Sequence, residues 1–300
     1  CGENLMWILH LDSGAEMRGG QWQVLRLIEG LGAAGHESTL LARCGSPLYA
    51  EARNHGIDVQ GWSSLSVSRR SGEADIVHAH DARSHTAAAL AAADRLVVSR
   101  RVAFLLKRNP ASRWKYSRAA HFIAVSQHVK SLLRDAGIAA SKITVVYDGV
   151  PILPVSHGSE ILIPETSDPA KGTILAMEGT KLAGLPVRSS GNLESDLTRA
   201  GLFLYITHSE GLGSAVLMAM SAGVPVIASN VGGLREIVDH ERTGLLTENA
   251  PEAVAVAVRR LTDDRLFAHE LAERARSMVH EKFSVDRMVA ETVRVYKAVA

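Results

Sequence analysis

Glu210 stands directly ahead of Gly211, Leu212, Gly213 and Ser214, where an apolar helix begins within "HSEGLGSAVLMAMSAGVPVIAS", His208 to Ser229. Backbone N–H groups in the first turn of a helix lack intrahelical partners and carry partial positive charge, so such a start accepts an anion, a diphosphate among them. Glu210 itself can serve as that anion, as a cap, or its carboxylate can take the hydroxyls of a sugar. After the next apolar run, "NVGGLREIV" (Asn230 to Val238) repeats the arrangement, with Gly232 and Gly233 entering a short helix. Two glycine-bearing helix starts on neighbouring strands make an anion pocket.

Three positions in the first half invite the same question. Gly19 and Gly20 lie between a strand and a helix, where missing side chains let phosphate or sugar approach the backbone; a tight turn is the plainer alternative. His80 and Asp81 end the run "ADIVHAH", and strand alternation sends His78 and His80 to one face. Its place at the strand end nominates His80 for chemistry and leaves His78 to packing. Asp148 and Gly149 end the last strand of this half and read as an Asp-Gly turn. Ligands of open α/β sheets sit at the carboxyl ends of strands, which is where all of these residues fall.

The elements that must position them alternate short β-type runs with helical patterns, the signature of parallel sheets flanked by helices. "LMWILHL" (Leu5 to Leu11) is the first strand; Trp22, Leu25, Ile28 and Leu31 then form a helical stripe that stops at Gly35. "STLLA", "ADIVHAH", "RLVVS", "HFIAVS" and "KITVVYDGV" continue the strands of an open α/β domain over residues 1–150. Pro151 and Pro154, among small polar residues, read as a linker that punctuates without packing. Alternation restarts with "GLFLYITHS", "VPVIAS" and "TGLLT" in a second α/β domain, residues 151–284, and a helix over 285–300 is long enough to return across the linker. Between Val155 and Ala200 the pattern holds two strands and one helix, so this domain is abbreviated at its start.

Composition sets the outer limits. The 300 residues, 46% hydrophobic and 22% charged, suit two soluble domains. Lys plus Arg number 33 against 32 for Asp plus Glu, which gives no reason to expect nucleic acid held by bulk charge. Cys1 and Cys44 make no disulfide framework and no metal-ligand spacing, and the first residues read as a strand and not as a signal peptide; a reducing cytoplasm fits best. No run approaches the ~18 apolar residues of a membrane span. No D-x-D marks a carboxylate-held divalent metal, and neither a phosphate loop of the ATPase type nor a serine-hydrolase elbow is present.

Taken in order, "MRGGQWQVLRLIEGLGAAGHESTLLARCGSPL", "ADIVHAHDARSH", "AHFIAVSQHVKSLL", "ITVVYDGV" and above all "HSEGLGSAVLMAMSAGVPVIASNVGGLREIVDHERTGLL" resemble the retaining glycosyltransferases of GT-B fold known as group 1, or family 4. The resemblance implies two facing Rossmann-like domains, with a nucleotide-sugar donor held mainly by the second and a carbohydrate or lipid-linked acceptor by the first. It implies no cofactor and no metal; the nucleoside-diphosphate sugar is a substrate. Glu210 matches the first acid of the family's E-x7-E motif, which contacts the transferred sugar, and His80 the first-domain histidine near the reaction centre. Gly19 and Gly20 match the glycine loop beside the donor phosphates, Gly211 to Ser214 the helix start near the diphosphate, and Lys171 the lysine that neutralises the leaving group.

Two positions depart from the family pattern. Met218 stands where the second Glu grips the ribose, and the Arg that precedes the Lys has no counterpart near Ile161 to Ala170. A catalytically weak or inactive nucleotide-binding protein is therefore the first alternative, and a sugar-nucleotide epimerase the second. "RRVAFLLKRNPASRWKYSR" (Arg100 to Arg118) carries seven basic residues and no acid, interleaved with Phe104, Trp114 and Tyr116. It reads either as a solvated loop with an aromatic anchor or as a peripheral contact with anionic lipid at the inner face of a membrane.

Overall fold

A computed structural model describes residues 5–91, 93–106, 109–166, 168 and 171–300. Cys1, Lys107, Arg108, Pro169 and Ala170, which entered the sequence argument, lie outside them. The chain forms two compact units, residues 1–149 with 285–300, and residues 150–284.

The first unit is built on β1 (Trp7–Asp12), β2 (Glu37–Ala42), β3 (Asp58–Gly61), β4 (Ile76–Ala79), β5 (Leu96–Arg100), β6 (His121–Ala124) and β7 (Ile143–Val145). They pair in the order β3-β2-β1-β4-β5-β6-β7, every pair parallel. Sequence order reverses between β1 and β4, so the loops leaving these two strands diverge and open the crevice in which such sheets bind ligands. Helix Gly19–Ala33 covers the sheet through Val24, Leu25, Leu27, Ile28 and Leu31, whereas Trp22, expected on that stripe, is 39% exposed.

Helix Val285–Val299 belongs to this unit. Its Met288, Val289, Val295 and Tyr296 share a core with Ile8, Leu27, Leu31, Ile76, Val97 and Ile123. Their spacing over a little more than two helical turns lays one apolar stripe on the sheet. Gly30 makes the approach close: a Cβ there would lie 2.4 Å from Val289 Cγ2.

The second unit is built on β8 (Glu160–Pro164), β9 (Arg188–Ser190), β10 (Ala200–Tyr205), β11 (Val226–Ser229) and β12 (Leu245–Thr247). The order is β12-β11-β10-β8-β9, again all parallel, with the switch between β8 and β10. Ahead of β10 lie two strands and one full helix, Thr173–Leu182, followed by short helical turns. Helices Pro251–Asp263 and Arg265–Lys282 pack against Ile161, Ile163, Leu202, Leu204 and Ile227.

Segment 151–159 corrects the expectation of an unpacked linker. Ser221 Oγ donates to Pro151 O at 2.7 Å and accepts from Leu153 N at 3.1 Å, and Arg276 binds both Leu153 O and Ser221 O. Leu153 is 7% exposed. The prolines supply an extended path tied down at the Pro151 and Leu153 carbonyls and the Leu153 and Ser156 N–H groups, while Ile152 and Val155 stay exposed.

Candidate functional site

At the second unit's switch point the chain leaving β8 runs back along the chain leaving β10. Lys171 bridges Thr207, and Gly172 N donates to Ile206 O at 2.8 Å. Gly172 permits this contact, since a Cβ would meet Ile206 Cγ2 at 2.8 Å. The backbone pairing carries Lys171 to Glu210, 39 residues away: Nζ donates to Oε2 at 2.6 Å and to the Tyr205 hydroxyl at 2.9 Å. Tyr205 in turn donates to the same Oε2 at 2.5 Å, and the ammonium lies 5.2 Å from its ring centroid. Burial above all, then the Glu210 charge, raises the Tyr205 phenol well above its usual range, so it stays a donor.

Sequence reasoning brought Lys171 and Glu210 to one site and missed Tyr205, whose signal was a polar tip ending an otherwise apolar strand. The Lys171 and Glu210 side chains are 25% and 15% exposed, enough to meet a ligand.

Glycine is required around Glu210 for steric reasons. Gly213 caps helix Ser214–Ser221 at φ 107°. Gly232 adopts φ 49°, and a Cβ there would come 2.3 Å from Glu210 O; at Gly233 it would come 2.0 Å from Gly211 O. Gly233 N donates to Glu210 O at 3.1 Å. The anion pocket expected from the two helix starts together is thus corrected in part: Gly232 and Gly233 press one loop onto the other, and the Gly233 N–H is spent inside the protein. Gly211 N likewise donates to Glu210 Oε1 at 3.0 Å, so Glu210 also caps its own loop. Leu212 is 2% exposed and Met218 9%, placing an apolar side chain where a second carboxylate was sought. Asn249, unnoticed in the sequence, ties the strand ends by donating to Thr207 O at 2.9 Å and accepting from Ser229 Oγ at 2.5 Å.

In the first unit the parallel register sets His10 beside His78. His80 lies 3.0 Å from His10, Nε2 to Nδ1, and 3.1 Å from Arg101, whose Nε donates to Asp148 at 3.1 Å. His78 packs as expected, between the Tyr296 hydroxyl at 2.6 Å and the Ser99 hydroxyl at 2.7 Å. Burial chiefly, with the neighbouring positive charge of Arg101, lowers His10 to a pKa of about 3 and holds His78 and His80 well below the usual range. Asp81 is structural: it caps helix Ala82–Leu90 and accepts from Ser13 N and Oγ, fastening the β1 loop. Gly19 and Gly20 open helix Gly19–Ala33, with nothing within 4 Å of a Cβ at Gly19 and Arg101 Cδ 3.9 Å from one at Gly20. Asp148, read as a turn residue, instead orients Arg101.

Residues 17–152 match the model of Glycosyltransferase Family 4, and residues 184–278 that of Glycosyl transferases group 1. An uncharacterized glycosyltransferase of Methanocaldococcus jannaschii is 42% identical over 89 residues, 29% of this chain and 23% of that protein. N-acetyl-alpha-D-glucosaminyl L-malate synthase of Bacillus anthracis is 33% identical over 107 residues, 35% of this chain and 28% of that protein. The chain thus aligns with about a quarter of the length of each. In fold, HepE of Anabaena, solved in complex with UDP and glucose, superposes with a TM-score of 0.87 at 17% identity, covering 98% of this chain and 100% of that one. Two family models in sequence along one chain, over two parallel sheets with this shared fold, mean that the chain belongs to the group 1 glycosyltransferases of GT-B fold.

Proposed function

We propose that this protein is a retaining, metal-independent glycosyltransferase that moves a sugar from a nucleoside diphosphate to a carbohydrate or lipid-linked acceptor. The observation that carries the reading is the Lys171–Tyr205–Glu210 cluster at a topological switch point, beside the start of helix Ser214–Ser221. Without donor the cation and the carboxylate neutralise one another. A diphosphate draws Lys171 to itself and releases Glu210 to accept sugar hydroxyls, while Tyr205 keeps hold of the carboxylate.

As the bond from the anomeric carbon to the phosphate oxygen breaks, Lys171 and the helix N-terminus stabilise the departing charge. The acceptor oxygen bonds to the same face of the sugar, and its proton passes to the leaving phosphate. His80, neutral and buried, is a poor general base and serves instead to position the sugar. The binding of UDP and glucose by HepE, and the likeness to an N-acetyl-alpha-D-glucosaminyl L-malate synthase, support this substrate class.

Arg113, Lys115 and Arg118, with Phe104, Leu105 and Trp114 at 66%, 81% and 46% exposure, are the residues we assign to contact with anionic lipid. Cosedimentation with vesicles containing anionic lipid tests it; equal binding to neutral vesicles would remove the assignment. Among the described residues no helix is long and apolar enough to cross a membrane.

Calorimetric titration with UDP, GDP and ADP and their sugars tests the donor site, and failure of every nucleotide to bind ends this reading. Product mass with and without acceptor then separates transfer from binding without turnover. The latter is the reading favoured by Met218 and by the lack of an Arg between Ile161 and Lys171. Glu210→Ala is expected to suppress transfer far more than folding stability.

A further inference from the structure

His10, His78 and His80 each bring a ring nitrogen within 4.8 Å of the others, all buried. Such a trio has the donor set of a metal site, but its nitrogens are already engaged, and the Arg101 guanidinium stands 3.1 Å from His80 Nδ1. An added cation would face a fixed positive charge. The hydrogen bonds instead have one direction. A guanidinium has donors and no acceptor, so His80 Nδ1 must be unprotonated and accept. Neutral His80 then carries its proton on Nε2 and donates it to His10 Nδ1 across 3.0 Å. His10 therefore carries its own proton on Nε2, facing Ser38 Oγ at 3.4 Å.

We infer that Arg101, oriented by Asp148, is a positioning residue that fixes His80 as its uncharged Nε2–H tautomer and, through it, fixes His10. The guanidinium side chain is 14% exposed and the Asp148 side chain 8%, so the pair holds its geometry away from bulk water. With its Nδ1 lone pair accepting from Arg101 and its Nε2–H given to His10, His80 is held as an uncharged ring in one orientation.

The groups facing His80 are His10 from β1, His78 on β4 itself, Arg101 after β5 and, behind it, Asp148 after β7. Tyr296 of the C-terminal helix reaches the cluster through His78. Asp12 and Asp81 end β1 and β4, with their carboxylates turned to Gly14 and Gln21, and to Ser13 and Ser84. Burial first, then the proximity of His78, Arg101 and His10, all disfavour an imidazolium at His80.

The meaning of this tautomer for sugar transfer rests on the proposed function, whereas the tautomer itself is observable without turnover. Nitrogen-15 NMR of the full chain labelled at histidine, with His80 assigned by its loss in His80→Gln, is expected to show an acceptor-type Nδ1 and a protonated Nε2. Both should stay unchanged from about pH 5 to 8, the range in which an ordinary histidine titrates.

Arg101→Met leaves Asp148 facing the cluster without its cation. His80 should then sample both tautomers or titrate, and kcat should gain an acid limb of about tenfold per pH unit with donor KM changing less. Arg101→Lys, which also offers only donors, should restore the wild-type tautomer. An Nδ1–H His80 in the wild-type protein overturns the inference even if Arg101→Met does not fold, and so does an Arg101→Met spectrum identical to wild type. The described tautomer in a chain that transfers no sugar would count against the proposed function and not against this inference.

Discussion

Tyr205 and Asp12 show how single groups at the two switch points set energy and function against each other. Tyr205 gives Glu210 a hydrogen bond that survives when Lys171 turns to a phosphate. Tyr205→Phe should lower stability by about 1 kcal/mol, the usual net worth of one hydrogen bond, and should lower kcat/KM for the donor by about tenfold. Paired urea unfolding and donor titration check this, and unchanged donor kinetics would reduce Tyr205 to packing. Asp12 is 1% exposed, and burial first, with Asp81 nearby, raises its pKa to about 6 against the Gly14 and Gln21 hydrogen bonds. Its folded pKa lies above its unfolded one, so the folded state holds the extra proton between about pH 4 and 6, and stability falls as pH rises through that window. Asp12→Asn removes the effect. Variant stability minus wild-type stability should grow from pH 4 to 7 by on the order of 1–3 kcal/mol, and a difference flat in pH would exclude a buried charge at Asp12 as its source. Glu210, His80 and Lys171 could be nominated from sequence because types and order resemble a family. Tyr205, Asp12 and Arg101 could not, because their roles arise from neighbours that only folding supplies.

At the scale of elements, Gly30 and Gly32 on helix Gly19–Ala33 give a paired test of packing against propensity. Glycine inside a helix costs roughly 0.5–1 kcal/mol relative to alanine. A Cβ at Gly32 meets nothing within 4 Å, so Gly32→Ala should stabilise by about that amount. At Gly30 it lands on the stiff Val289 side chain at 2.4 Å, and overpacking of about 1–3 kcal/mol should outweigh the gain. Opposite shifts in urea midpoint are expected for the two variants; two stabilising shifts would show that the C-terminal helix yields. Helices and strands with strong periods, such as Val285–Val299 and β1, were readable to within a residue or two. Weakly patterned elements were not. β3 is a four-residue edge strand, "DVQG". Helix Ser64–Ser71 is Ser- and Arg-rich and held by a Ser63–Ser66 capping box, and helix Pro110–Ser117 has no buried residue. Each owes its form to caps and neighbours more than to an apolar period of its own.

At the scale of the whole chain, strand order escaped sequence reading altogether, because the switch between β1 and β4, or between β8 and β10, depends on which strands pair across long crossovers. The same property gives residues 285–300 a consequence out of step with their place in the chain. They follow the second unit directly but complete the core of the first, where Met288, Val289, Val295 and Tyr296 cover Ile8, Leu27, Ile76 and Val97. Each such side chain contributes about 1.5–3 kcal/mol by burial, so losing four approaches the whole 5–15 kcal/mol stability of a typical domain. Removal also leaves His78 Nδ1 without Tyr296 in a buried site. The second unit keeps its core, since none of the buried residues clustered there comes from 285–300. A chain ended at Ser284 should therefore lose the first unit and retain the second. Limited proteolysis read by mass spectrometry should yield a resistant fragment close to residues 150–284, with residues 5–149 cut throughout. Tyr296→Ala, which keeps the helix, should move the first unit partway in the same direction. Equal resistance of both halves after truncation would mean that the C-terminal helix decorates the first core without completing it.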